Sequence, residues 1–192
     1  MTLLILGLLL FLGVHSVRIA GEGFRTAQIA RLGANGWKGL YSLASIAGFA
    51  LIVWGYGQAR LQPMVLWPSP NWLRHVAALL TLVSFVLLAA AYVPGNGIKA
   101  RLHHPMVLGV KVWALAHLLA NNTLADLLLF GSFLLWAVLS FRAAKARDRA
   151  AGTVYAPGRA SRSAVTVAVG VGAWIAFALW GHAALIGVRP FG

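Results

Sequence analysis

Six blocks of apolar residues, most of them close to the length of a membrane crossing, decide what this chain can fold into. They run over about Leu3–Ile19, Trp37–Tyr56, Trp72–Tyr92, Met106–Leu119, Thr123–Phe141 and Ala164–Val188. A hydrocarbon core about 30 Å thick takes about 20 apolar residues of helix to cross. In that medium the backbone must satisfy its own hydrogen bonds, which leaves helices or closed barrels. Barrel strands alternate in polarity over about ten residues, whereas these blocks are apolar throughout. The expected fold is therefore all-α, a polytopic transmembrane helical bundle of about six membrane-spanning helices forming one integral-membrane domain over residues 1–192. Composition agrees, with 60% hydrophobic and 10% charged residues, against about 25% charged in a soluble domain.

The block boundaries have local support. All seven prolines, at 63, 68, 70, 94, 105, 157 and 190, fall outside the blocks, as residues that break helices should. The first block lacks a basic leader and carries Arg18 at its end, so it reads as a retained helix rather than a cleaved signal. The fourth block is the shortest and is interrupted by Lys111. Thr123-Leu-Ala-Asp126 fits a capping box opening the fifth helix, with Asp in place of the usual Glu. The glycines of Gly21-Glu-Gly23 and Pro94-Gly-Asn-Gly97 read as loop glycines without a phosphate-binding context.

Charge is informative by position. Sixteen Lys and Arg stand against three acids, Glu22, Asp126 and Asp148, for a net charge of +13. In a soluble protein that balance would point to nucleic acid; in this chain no nucleic-acid partner is expected. The first, third and fifth connections hold twelve basic residues, and the opposite side holds three. Short loops with such a bias belong in the cytoplasm. Both termini are then expected to be periplasmic in a bacterial inner membrane. The run Arg142–Arg149 should extend the fifth helix into the cytoplasm and meet anionic lipid there.

Cysteine is absent, which removes disulfides, thiolate catalysis, cysteine-ligated zinc, iron–sulfur clusters and covalent haem attachment. Three acids offer no paired-carboxylate site. Histidine is the residue type left to carry chemistry, because polar groups inside a membrane are costly and are functional candidates by default.

His15 lies near the end of the first helix with Arg18 one turn on, where a helix C-terminus also favours a histidine. His75 and His182 read as an interface residue and a helix–helix bonding residue. His117 lies in an apolar stretch, and on a continuous helix Trp113, His117 and Asn121 form one stripe. That setting suits an axial haem ligand as well as an interhelical hydrogen bond. His103-His104-Pro105 places proline at a helix start, so His104 can cap that helix at the mouth of a cytoplasmic cavity. Lys111 follows about 20° away on the same face. That basic pair suits an anionic group such as a haem propionate, and snorkelling of Lys111 to headgroups is the alternative.

Three stretches resemble the NnrU family. They are Leu12-Gly-Val-His15-Ser-Val-Arg18, Trp37-Lys-Gly-Leu-Tyr-Ser-Leu43, and His104-Pro-Met-Val-Leu-Gly-Val-Lys-Val-Trp-Ala-Leu-Ala-His117-Leu-Leu-Ala-Asn121, continued by Thr-Leu-Ala-Asp126-Leu-Leu-Leu-Phe-Gly-Ser. The resemblance covers about residues 2–145. It implies a bacterial inner-membrane protein associated with denitrification and nitric oxide metabolism. The family is related to plastid 15-cis-zeta-carotene isomerase, a membrane enzyme with non-covalent haem b. The positions matching that enzyme's proposed haem ligands are His15 and His117. A cysteine used there for redox-dependent ligand switching is Ala114 in this chain, so that form of switching is not carried over. The His-Pro start also loosely resembles the motif of isoprenylcysteine-type methyltransferases, but their acidic C-terminal motif is missing.

The resemblance implies haem b bound non-covalently through His15 and His117, with His104 and Lys111 as further cofactor-binding candidates. The activity implied is haem-dependent cis–trans isomerisation of a lipid-soluble polyene. The competing expectation is a non-catalytic membrane factor for the assembly or regulation of nitrogen-oxide respiration. Helix rise puts His15 about 6 Å and His117 about 18 Å from the cytoplasmic side if both helices stand upright. Depth alone therefore favours His104 as partner of His15, while burial and the resemblance favour His117.

Overall fold

The computed structural model describes residues 1–191. Regular structure among them is helical: α1 (Thr2–Ala20), α2 (Glu22–Ala59), α3 (Trp72–Tyr92), α4 (Gly97–Leu102), α5 (Pro105–Ala120), α6 (Leu124–Ala150) and α7 (Ala160–Ala176). After α7 the chain passes through a π-helical turn, Phe177–Gly181, into α8, His182–Ile186. Five stretches are long and apolar enough to cross a membrane: α1, α2, α3, α6 and the run Ala160–Ile186. The sixth expected span, α5, has 16 residues and is about 24 Å long, short of the ~30 Å core. Leu9, Leu43, Ile46 and Leu79 are about two-thirds exposed, as side chains facing lipid would be. The fold is all-α and polytopic.

The connection before the second apolar block is itself helical. Gly21 alone separates α1 from α2, and Glu22 opens α2. Glu22 at the helix start accepts from Arg25 at 2.9 Å and Arg18 at 3.4 Å, where a carboxylate is favoured. The regular helix breaks at Gly33, whose φ of 73° lies in the region open to glycine. The apolar stretch resumes beyond it.

The chain divides into two compact units. The first comprises Met1–Pro68 and Asn121–Ala144. Within it α1 and α2 pack through small residues. A Cβ on Gly48 would lie 2.8 Å from Phe11 N, and one on Gly7 would lie 2.6 Å from Ile52 N. Such closeness lets backbones approach where lipid removes the hydrophobic drive between helices. Phe11 of α1 also meets Phe133 of α6, with ring centroids 5.8 Å apart.

Asp126 fixes the start of α6. Its Oδ2 accepts from Thr123 N at 3.1 Å while Thr123 Oγ1 accepts from Asp126 N at 3.3 Å, which is the expected capping box, and Thr123 Oγ1 also donates to Oδ2 at 2.6 Å. Its Oδ1 accepts from Tyr56 OH at 2.6 Å, a partner 70 residues away that no local pattern announces. Backbone bonds from Leu66 N to Asn122 O and from Leu124 N to Met64 O tie the segment after α2 to the same corner.

The second unit comprises Ser69–Ala120 and the chain from Lys145 on. There α3 packs against α5 and α7. Buried Ser84 donates to Gly109 O at 2.8 Å, and Trp174 Nε1 donates to Thr81 Oγ1 at 3.1 Å. Asn96 is 2% exposed. It accepts from Lys99 N at 2.7 Å and donates to Ala90 O at 2.9 Å, joining the end of α3 to the start of α4. Gly97 N donates to Ser163 Oγ and Arg159 N to Gly95 O, both at 2.9 Å. Pro94 and Gly95 thus form an exposed turn, as expected, anchored by buried Asn96.

Candidate functional site

In the first unit the histidine of interest is His15. It lies on α1, one turn beyond Phe11, and the ring stacks on the Phe11 ring at 4.1 Å. Tyr41 lies 5.2 Å and Trp136 6.1 Å away between ring centroids. His15 Nδ1 is 2.7 Å from Phe11 O. A carbonyl can only accept, so Nδ1 carries the proton, and in the neutral ring Nε2 carries the lone pair. The sequence placed His15 correctly near the C-terminal end of its helix but did not bring Tyr41 or Trp136 to it. Among the described residues, Trp136 Nε1 is buried with no hydrogen-bond partner. A buried unsatisfied donor costs about 1–3 kcal/mol and calls for an acceptor.

In the second unit His117 repeats the arrangement. It lies in the last turn of α5, 5.1 Å from the Trp113 ring, and its Nδ1 donates to Trp113 O at 2.9 Å. Again the backbone one turn earlier fixes which nitrogen is protonated. Ala114 is fully buried. Asn121 falls one residue past the end of α5, so the expected helical stripe stops at His117.

The second unit also holds a polar cluster at the other end of α5. Leu102 O accepts from His104 N at 2.8 Å across His103, whose φ is 66° and ψ −50°. This is a γ-turn of the strained positive-φ kind, and His103 is the non-glycine residue with positive φ among those described. Such a conformation costs about 1–3 kcal/mol and persists where surroundings over-determine it. Here Pro105 starts α5 at once, and two adjacent histidines turn to different partners. The His103 ring lies parallel on Tyr155, 4.0 Å away and 2° from coplanar orientation. His104 Nε2 lies 2.7 Å from Asp148 Oδ2, which also accepts from Tyr155 OH at 2.9 Å.

His104 starts α5 as expected, its carbonyl accepting from Leu108 N at 3.2 Å. Its ring, however, is joined to Asp148. Lys111 is half-buried on α5. Tyr155 is held above its ordinary pKa by desolvation, by its hydrogen bond to Asp148 and by that carboxylate's charge. Sequence reasoning missed Asp148 and Tyr155 as the partners of these histidines. The signal available was one acid set among six basic residues between 142 and 162.

Of the remaining histidines, His75 is exposed at the start of α3. His182 donates locally, to Val188 O at 2.7 Å, rather than to a neighbouring helix. Among the described residues no three His, Asp or Glu side chains group as a metal cage; axial haem ligation uses one or two histidines and needs no such group.

The family described as "NnrU protein" matches residues 3–190, nearly the whole chain and including the last helical run. No curated protein and no solved structure matches.

Proposed function

The chain belongs to the NnrU family, and we propose that it is a haem b protein of the bacterial inner membrane in which His15 and His117 would hold the haem. The proposed role is in nitrogen-oxide metabolism, with cis–trans isomerisation of a lipid-soluble polyene as the reaction class. One observation carries this reading. In both histidines Nδ1–H donates to the carbonyl four residues earlier, at 2.7 and 2.9 Å, and the ring lies against that residue's aromatic side chain. This outer-shell bond is the one that orients a metal-ligating imidazole and makes Nε2 the ligand atom.

The donor chemistry suits a non-covalent haem: the chain has no cysteine for thioether attachment, and imidazole nitrogen is a haem-iron ligand. When bound, the haem would supply an iron centre able to interact with a polyene double bond. The chain's own residues hold and orient: Phe11 O fixes the His15 ring, Trp113 O fixes the His117 ring, and Phe11 and Tyr41 keep the surroundings of His15 apolar. The unsatisfied Trp136 Nε1–H is a ready donor to an anionic or carbonyl oxygen. Placement of both termini in the periplasm belongs to the same proposal and rests on the twelve-to-three distribution of basic residues.

Purification in detergent after expression with ample haem supply tests the reading. A Soret band that is lost in both His15→Ala and His117→Ala supports it. Loss in His104→Ala with full retention in His117→Ala overturns the ligand assignment. Absence of haem from the wild-type protein overturns the cofactor and favours a non-catalytic membrane factor.

A further inference from the structure

We propose that the cleft bordered by His103, Lys145, Asp148, Arg149, Gly152 and Thr153 is a binding site for a phosphate-bearing anion. It lies within the second unit and rests on nothing said about haem. The cavity measures about 310 Å³, at the small end of the ~300–1,000 Å³ range of ligand pockets.

Its charge is unbalanced toward the positive. Lys145 and Arg149 stand one turn apart on α6 and border the same cleft. Like charges at that spacing repel on a bare helix, and an anion between them reverses the sign of that interaction. Asp148 is the one carboxylate in the lining, and its Oδ2 already takes both the His104 Nε2–H and the Tyr155 hydroxyl. The lining thus carries two fixed cations and one carboxylate, whose Oδ2 is already engaged, and the His103 imidazole adds a further polar group.

The C-terminal end of a helix ordinarily disfavours an anion, but here it is capped. The carbonyls of Arg147, Asp148 and Arg149 accept from the amides of Ala151, Thr153 and Gly152 at 2.9, 2.9 and 3.3 Å. Gly152, at φ 59°, makes that reversal of the chain. A Cβ there would meet nothing within 4 Å, so this wall stays open to a ligand. Elsewhere in the lining the γ-turn and the Tyr155 stack hold the His103 ring in one orientation. Strain kept at a cleft wall, rather than relaxed by a glycine, is the pattern of a positioned binding group.

Phosphate suits the site better than a carboxylate. A phosphate monoester carries about −1.5 to −2 charge at neutral pH and three acceptor oxygens. Guanidinium, ammonium and imidazole groups together supply enough donors to use all of them. Lys145 lies about 6 Å and Arg149 about 12 Å past Phe141, where the apolar stretch ends. The polar zone of a leaflet is about 5–7 Å deep, so the cleft spans its outer edge. Both a phospholipid headgroup and a soluble phosphate ester reach that height, and they share the recognised chemistry.

The test uses the full-length protein in detergent, titrated with inorganic phosphate against sodium chloride of matched ionic strength and followed by thermal unfolding. In parallel, native mass spectrometry reads phosphatidylglycerol retention. A saturable phosphate-specific rise in melting temperature marks a soluble source, and selective retention of phosphatidylglycerol marks a lipid one. Either supports the proposal if affinity falls about tenfold or more in Lys145→Gln/Arg149→Gln. Arg159→Gln/Arg162→Gln, which removes equal charge outside the cleft, should leave it unchanged. His103→Gly keeps the positive φ and all fixed charges, and is expected to weaken binding severalfold in a folded protein. Equal loss in the two charge pairs, or no saturable binding of either probe, overturns the proposal.

Discussion

His104 Nε2 lies 2.7 Å from Asp148 Oδ2, joining the residue before α5 to the end of α6 across 44 positions of sequence. Tyr155 shares the same carboxylate oxygen, so the loop after α6 is fastened at the point where α5 begins. Because desolvation and the Asp148 carboxylate raise the Tyr155 pKa, the fold retains the phenol proton past its ordinary value near 10. The sign follows: this contribution to stability is whole below the unfolded value and is lost as pH rises through the folded one. Asp148→Asn is expected to return the Tyr155 titration toward 10. An alkaline absorbance titration reads it, with Tyr155→Phe identifying which tyrosine moves. An unchanged titration would show that Asp148 does not act on the phenol.

Helix packing in the first unit gives a second expectation. Gly48→Ala brings a Cβ within 2.8 Å of Phe11 N, a backbone atom that cannot swing aside, and overpacking of that kind costs about 1–3 kcal/mol. Gly39→Ala meets nothing within 4 Å and should be neutral or stabilising by about 0.5–1 kcal/mol, as alanine in an exposed helix is. Thermal unfolding of the two variants in one detergent compares them directly. Equal melting temperatures would dismiss the close approach of α1 and α2.

The corner built on Asp126 should behave as a coupled group. Asp126 is 5% exposed and accepts from Tyr56 OH, Thr123 Oγ1 and Thr123 N. Tyr56→Phe removes a part-buried hydrogen bond to Asp126 and should cost about 0.5–1.5 kcal/mol. Thr123→Ala should cost about 1 kcal/mol, the worth of a cap. Because both act through one carboxylate, the double variant should depart from additivity by about 0.5 kcal/mol or more. Strict additivity in thermal unfolding would refute the shared role.

Legibility in the sequence followed the range of the interaction. The apolar block Trp72–Tyr92 coincides with α3, because its ends are set locally by Pro70 and Pro94. The Thr123–Asp126 cap was readable for the same reason, being closed within four residues. The shortness of α5 was foreshadowed by Lys111 and by the small number of apolar residues between Pro105 and Asn121. Helical Glu22–Leu32 was missed because the segment is mostly exposed and polar and carries no apolar period. Tyr56–Asp126 and His104–Asp148 were out of reach, since contacts across 70 and 44 residues leave no spacing rule. For His15 and His117 the sequence supplied the residues, and the structure added the shared Nδ1-to-carbonyl bond, which only a rotamer can reveal.

The last expectation turns on Trp136. Its buried Nε1–H lacks a partner, and its ring stands edge-on to His15 at 85°. Phenylalanine keeps an aromatic ring in the cage and deletes the donor. In the haem-free protein Trp136→Phe should therefore recover part of the ~1–3 kcal/mol desolvation penalty, offset by the smaller ring's lost packing, and melt no lower than the wild type. If a haem oxygen group takes that donor, the haem-loaded variant should lose about 1 kcal/mol or more relative to the loaded wild type, with a shifted Soret maximum. Comparing the melting temperatures of both proteins with and without haem isolates the effect. A variant that melts lower without haem, and by the same margin with it, would assign Trp136 to packing alone.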